Sequence, residues 1–169
     1  LACPGIMHQG GLAKVLEHSS IFKVLHDCRR DSQAVAGQFN VSLRSIFDTQ
    51  VAYMELHRTN IRPGLNVVLK KYAGQTNTEK QNVQHRAGLW EQRPLPPDLL
   101  NYAAQDVEYL LTAHAAMVRQ GVQQNSLPRI LQLSTNNVST LLSTSRKKQS
   151  VALRTTIRRQ KKTVLVKQT

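Results

Sequence analysis

The sequence predicts an α/β fold with parallel strand pairing. Three observations carry this. Ile21-Phe22-Lys23-Val24-Leu25 is a short, apolar, β-branched run that reads as a buried strand. Leu43 to Phe47 reads as a second. Between them, residues 30 to 39 place Ala34, Val35 and Phe39 at helical spacing. A strand–helix–strand connection of this length favours parallel pairing.

The elements follow in order. Gly10-Gly11 is a break, and Leu12, Val15 and Leu16 then repeat at helical spacing up to Ser19-Ser20. After the first strand and its helix, Asn40-Val41-Ser42 turns the chain. Asp48-Thr49 can cap a helix over 49 to 56. Arg62-Pro63-Gly64 breaks the chain again, and a helix over Leu65 to Tyr72 is stopped by Gly74. Residues 75 to 88 are polar and read as a loop around Thr76-Asn77-Thr78. Trp90 and a corner at Arg93-Pro94-Leu95-Pro96-Pro97 come next. One long helix follows, with Asp98 at its positive end. Leu99, Tyr102, Ala103, Val107, Leu110, Leu111 and Met117 carry its apolar pattern, and Gly121 can end it. Two strands alone make a poor sheet, so further strands are expected upstream. The chain also opens on Leu rather than Met.

Charge divides the 169 residues in two. Residues 1 to 125 hold 13 Lys and Arg against all 10 acids. Residues 126 to 169 hold 10 basic residues, no acid and no aromatic. Such sequence buries too little to offset its ordering entropy. The expected organisation is a partial domain over 1–125 and a basic, disordered tail over 126–169, in which Leu127–Leu133 and Val151–Ile157 can order locally. Arg146-Lys147-Lys148 and Arg158-Arg159-Gln160-Lys161-Lys162 form two clusters that attract phosphates without reading sequence.

Several classes are excluded or disfavoured. No run approaches the roughly 18 to 20 apolar residues of a membrane span. The start carries no secretory signal. Cys3 and Cys28 match no zinc spacing and no disulfide framework, which favours free thiols in a reducing compartment. The expected location is therefore cytoplasmic, with the basic clusters also compatible with the nucleus. There is no glycine-rich phosphate loop and no Gly-x-Ser-x-Gly elbow. His8, His18, His26, His57, His85 and His114 are scattered, without zinc-site spacing.

The carboxylates are more informative. Asp27 and Asp31 follow the first strand, where ligands of α/β sheets usually lie. Tyr102 and Asp106 are four apart on the long helix and share a face. A carboxylate holds a hard cation through oxygen, and a nearby phenol can hold a water beside it. These residues could form part of a metal-assisted hydrolytic site. The same spacing also occurs as a simple bond between helix neighbours.

Two segments resemble a known family. Lys23-Val24-Leu25-His26-Asp27-Cys28-Arg29-Arg30-Asp31-Ser32, followed by Ile46-Phe47-Asp48-Thr49-Gln50, resembles the second motif region of the ribonuclease D-like 3′–5′ exonucleases. Trp90, Arg93-Pro94-Leu95 and Tyr102-Ala103-Ala104-Gln105-Asp106-Val107-Glu108-Tyr109-Leu110-Leu111 resemble the third motif in its tyrosine-containing (DEDDy) form. The resemblance covers roughly residues 10 to 120, and its details look closest to the Egalitarian and exonuclease-domain-containing branch.

This resemblance implies a ribonuclease H-like fold that removes nucleotides from single-stranded 3′ ends, of RNA rather than DNA. It implies two divalent ions, Mg²⁺ or Mn²⁺, held by four acids, with a tyrosine beside the attacking water. By position, Asp31 matches the acid of the second motif, and Tyr102 and Asp106 match the tyrosine and final acid of the third. The implied catalytic residues are Asp31, Tyr102 and Asp106, with Asp31 and Asp106 as metal ligands. Asp48 is a structural position in the family, and His26 and Asp27 look like strand-end support. Arg146, Lys147, Lys148, Arg158, Arg159, Lys161 and Lys162 are the expected nucleic-acid contacts. The family's first motif, an Asp-x-Glu on the opening strand, has no counterpart before Lys23. The fold is thus expected to be N-terminally truncated and the chain, alone, inactive. The alternative is an inactive exonuclease-fold adaptor that binds RNA, with protein partners, in RNA transport or small-RNA biogenesis.

Overall fold

A computed structural model describes residues 4–78 and 88–138. Two short helices, α1 (Pro4–His8) and α2 (Leu12–Glu17), lead into β1 (Lys23–Leu25). Then come α3 (Arg29–Phe39), β2 (Ile46–Asp48), α4 (Thr49–Leu56) and α5 (Leu65–Ala73). A single 3₁₀ turn at Leu89–Glu91 precedes α6 (Pro97–Glu108) and α7 (Leu110–Gln123). Residues 127–138 form α8.

The two strands pair in parallel, with Lys23 opposite Ile46, Val24 opposite Phe47 and Leu25 opposite Asp48. α3 makes the crossover, as parallel strands require. β2 starts three residues later than expected. Ser45 has φ +51°, which interrupts extended backbone just before Ile46, and its hydroxyl donates to the Ser19 carbonyl. All of β2 is buried, whereas Val24 and Leu25 of β1 are half-buried. α4 begins where expected, because Asp48 accepts from the N–H groups of Gln50 and Val51.

The main core joins Phe47 of β2, Ala52 and Leu56 of α4, Val68 of α5, Met117 of α7 and Ile130 of α8. α7 packs against both α4 and α5. The single long helix expected after Pro97 is two helices that meet at Tyr109, whose φ of −98° and ψ of 0° depart from helical values. Leu99, Leu110 and Met117 are buried as the periodicity implies, but Val107 and Leu111 are exposed. Gly121 does not end the helix; it lies inside α7. A Cβ there would stand 3.5 Å from Ile130 Cδ1 and 3.6 Å from Leu127 Cβ, so the glycine lets α8 approach closely.

The folded part extends past the expected boundary at residue 125. Residues 127–138, placed in the tail with local order expected only over Leu127–Leu133, are helical throughout, and Ile130, Ser134 and Val138 are buried. The reason is a stripe at helical spacing. Leu127, Ile130, Leu131, Ser134 and Val138 fall on one face, which average composition hides. Ile130 joins the main core, and Val138 packs with Ile46, Leu43 and Cys28. Ser134 Oγ accepts from the Asp48 N–H at 3.1 Å, so α8 lies along β2.

Candidate active site

The turn after β1 is built around the carboxylate of Asp48, which is fully buried. Its Oδ1 accepts from the N–H of Asp27 at 3.0 Å and of Gln50 at 2.9 Å, and its Oδ2 accepts from the N–H of Cys28 at 3.1 Å. Asp48 thus joins the end of β1 to the start of α4. Thr49 Oγ1 donates to the Leu25 carbonyl at 3.1 Å. Its hydrogen being used, it accepts from His26 Nδ1, 3.0 Å away. Asp27, at φ +51°, receives Arg29 through both carboxylate oxygens, at 2.6 and 2.9 Å. The Cys28 thiol is a free thiol, and burial, then the charges of Asp48 and Asp31, push its pKa far up. It is a packing residue, not a nucleophile.

Asp31 stands on this framework, exposed in the first turn of α3, where the helix dipole favours an acid. Tyr102 and Asp106 stand on α6, both half-buried. Burial first, then the Asp106 charge and the hydrogen bond to it, push the Tyr102 phenol up, so it is neutral at pH 7. Trp90 lies against the Tyr102 ring with centroids 6.2 Å apart, and Leu89, Leu95 and Leu99 pack with it. Arg93 Nη1 fixes this corner by donating to the carbonyls of Trp90 and Gln92, at 2.9 and 2.6 Å.

One residue of the site was missed in the sequence. Asn77, buried in the stretch expected to be a polar loop, donates from Nδ2 to Asp106 Oδ1 at 2.8 Å and to the Tyr102 carbonyl at 3.0 Å. Asn66 holds Asn77 in turn through a reciprocal pair of 2.9 Å bonds to its backbone. No motif flags such a residue; only its place in the polar Gln75-Thr76-Asn77-Thr78 turn that follows the helix stop at Gly74 could have.

The structure therefore brings Tyr102 and Asp106 together on one helix face, while Asp31 stands on α3 and its carboxylate forms no hydrogen bond or ion pair among the described residues. Arg146, Lys147, Lys148, Arg158, Arg159, Lys161 and Lys162 lie outside the described residues. Asp106-Val107-Glu108 spells Asp-x-Glu, but on a helix residues two apart do not face each other, and Val107 and Glu108 are exposed. Among the described residues, no three His, Cys, Asp or Glu side chains gather as a metal site. Asp31 and Asp106 offer the right donor atoms for a hard cation, but two carboxylates alone are too few to neutralise and bridge a pair of ions.

A family model described as 3′–5′ exonuclease matches residues 5–121. The chain belongs to this family. The exonuclease domain is 34% identical over 122 residues to the piRNA biogenesis protein EXD1 of Danio rerio, covering 64% of this chain and 32% of that protein. It is 32% identical over 103 residues to ribonuclease D of Nitrobacter hamburgensis, covering 61% and 26%. The chain thus spans about a third or less of these relatives. Among solved structures, Trypanosoma brucei RNase D superposes with a TM-score of 0.68 at 27% identity, over 80% of this chain and 50% of that one. The ribonuclease H-like exonuclease fold is the fold of this chain. Among the described residues, no helix is long and apolar enough to cross a membrane.

Proposed function

We propose that this chain is the part of a 3′–5′ exonuclease domain that carries the second and third motifs, acting on single-stranded RNA. The observation that carries this is the Tyr102–Asp106 pair, half-buried on α6 and gripped by Asn77. A helix neighbour pair with no task needs no third residue to fix its carboxylate. RNA is the proposed polymer because a Trypanosoma brucei RNase D of the same fold, 31% identical, is described in complex with RNA U12, over 68% of this chain and 40% of that one.

In this reading the Asp106 carboxylate is held in one orientation by Asn77. The neutral Tyr102 phenol orients a water for attack on the terminal phosphodiester. Asp31 supplies negative charge from the first turn of α3. The reaction needs a divalent cation, Mg²⁺ or Mn²⁺, and Asp31 and Asp106 are its proposed ligands from this chain. Because these two acids do not fit two ions by themselves, residues 1–169 alone are inactive, and activity belongs to a protein that adds the acids of an Asp-x-Glu. The basic clusters at 146–148 and 158–162 add salt-dependent affinity for the RNA backbone.

The test is 3′ shortening of a 5′-labelled single strand by the protein made from its complete reading frame. Asp106→Asn abolishes Mg²⁺-dependent shortening and leaves binding intact. Equal shortening by both versions overturns the assignment. The 34% identity to the piRNA biogenesis protein EXD1 of Danio rerio favours a second reading, an RNA-binding adaptor with protein partners in small-RNA biogenesis or RNA transport. Binding without shortening by the complete protein selects it.

A further inference from the structure

Two clefts share Thr59 and Arg62: the first opens between α4, the α4–α5 connection and α8, the second between α4, the same connection and α5. Their volumes are about 300 Å³ and about 430 Å³. None of Asp31, Tyr102 and Asp106 lines either one.

The first cleft is cationic. Arg58, Arg62 and Arg129 line it with the amides of Asn60 and Asn137. Its single carboxylate, Glu55, is taken by Arg129, whose Nε lies 3.0 Å away. Among the described residues, neither Arg58 nor Arg62 has a carboxylate within ion-pair distance. Two guanidiniums that pair with no described carboxylate, beside donor amides, suit an oxyanion, and guanidinium matches phosphate geometry well.

The second cleft is aromatic and apolar. Tyr53 and His57 line it with ring centroids 4.3 Å apart. Ile61 and Val67 at its rim are 76% and 51% exposed. The His57 ring is fixed, with Nε2 3.0 Å from the Tyr72 hydroxyl, which donates to Gln120 Oε1 at 2.9 Å. Burial, then Lys71, lower the His57 pKa, so the imidazole is neutral at pH 7. An uncharged aromatic wall with an aliphatic rim accepts a flat heterocycle.

We infer that the joined clefts are a second nucleotide site, holding a phosphate at Arg58 and Arg62 and its base against Tyr53 and His57. The inference rests on the RNA reading only for the source of the nucleotide, which is a unit of the bound strand rather than a free mononucleotide.

The test compares the unaltered protein with an Arg58→Gln/Arg62→Gln version, titrated with AMP and with a single-stranded oligoadenylate. Loss of two charge-assisted contacts weakens oligoadenylate binding by roughly tenfold or more. Weakening of both probes also supports the site. Weakening of AMP alone keeps the site and overturns the strand as its occupant. Unchanged affinity for both overturns the inference. Tyr53→Leu reports on the base, because it weakens AMP and leaves inorganic phosphate unaffected; equal behaviour of these two probes overturns the aromatic half. The substituted arginines are exposed, so the fold is kept. Should no version shorten RNA while the arginine effect persists, the catalytic reading fails and this site stands.

Discussion

Asn77 Nδ2 donates to Asp106 Oδ1 at 2.8 Å, and it is the one described side chain outside α6 that grips this carboxylate. Asn77→Ala removes that bond and a second one to the Tyr102 carbonyl. The expected loss is about 1 to 3 kcal/mol of stability, read by urea denaturation. Asn77→Asp sets a carboxylate against a carboxylate. This like-charge contact lowers any Asp106-dependent shortening more than the alanine does. A neutral result for both versions sinks the positioning role.

Two neighbouring aspartates separate structure from surface. Asp48 is buried and accepts from the backbone of Asp27, Cys28 and Gln50. Asp48→Ala strands these donors and costs at least about 2 kcal/mol. Asp27 has a half-exposed pairing with Arg29. Asp27→Asn costs under about 1 kcal/mol, since asparagine also tolerates the positive φ. Equal losses would contradict this division.

Cutting after residue 125 removes α8. Phe47 and Met117 then lose Ile130, and the Asp48 N–H loses Ser134. A chain ending there is expected to give a broadened or absent thermal transition, whereas one ending at 138 melts cooperatively. Ile130→Ala within the full chain costs about 2 to 5 kcal/mol, as for other buried aliphatic truncations. Identical melting of all versions argues against α8 as part of the core.

Acid weakens this fold through two histidines. Burial lowers the pKa of His114, and burial with Lys71 lowers that of His57. The unfolded chain therefore binds more protons below about pH 6.5 than the folded one. Stability is intact above that value and falls as pH drops through it. His114 also packs edge-on against Phe47, with centroids 4.5 Å apart, so protonation disturbs the core directly. Urea midpoints at pH 7.5 and 5.5 measure the effect. The His57→Gln/His114→Gln protein has a flatter dependence; an unaltered slope assigns it to other groups.

Much of the site was legible because its signals are local. The β-branched run before His26, the Asp48 cap and the four-residue step from Tyr102 to Asp106 each sit within one element. Asn77 was not legible, because its role depends on contact across 29 residues with a helix it precedes. α8 was legible only as local order over Leu127–Leu133, and its place in the core was hidden for a different reason. Its buried stripe includes a serine, and the basic residues further on outweigh it in any average, although Ser126 and Pro128 mark a helix start. Tyr109 breaks the long helix without proline or glycine, so periodicity ran through it.

The bond between Asp48 and Ser134 gives the sheet a direction. With Ile46, Phe47 and Asp48 wholly enclosed and α8 lying along them, the outer side of β2 is closed to backbone pairing. Any additional strand, from elsewhere in the same polypeptide or from another, is confined to β1. The sheet is a template that can be read from one side, and an assembly that completes it has only one order in which to do so.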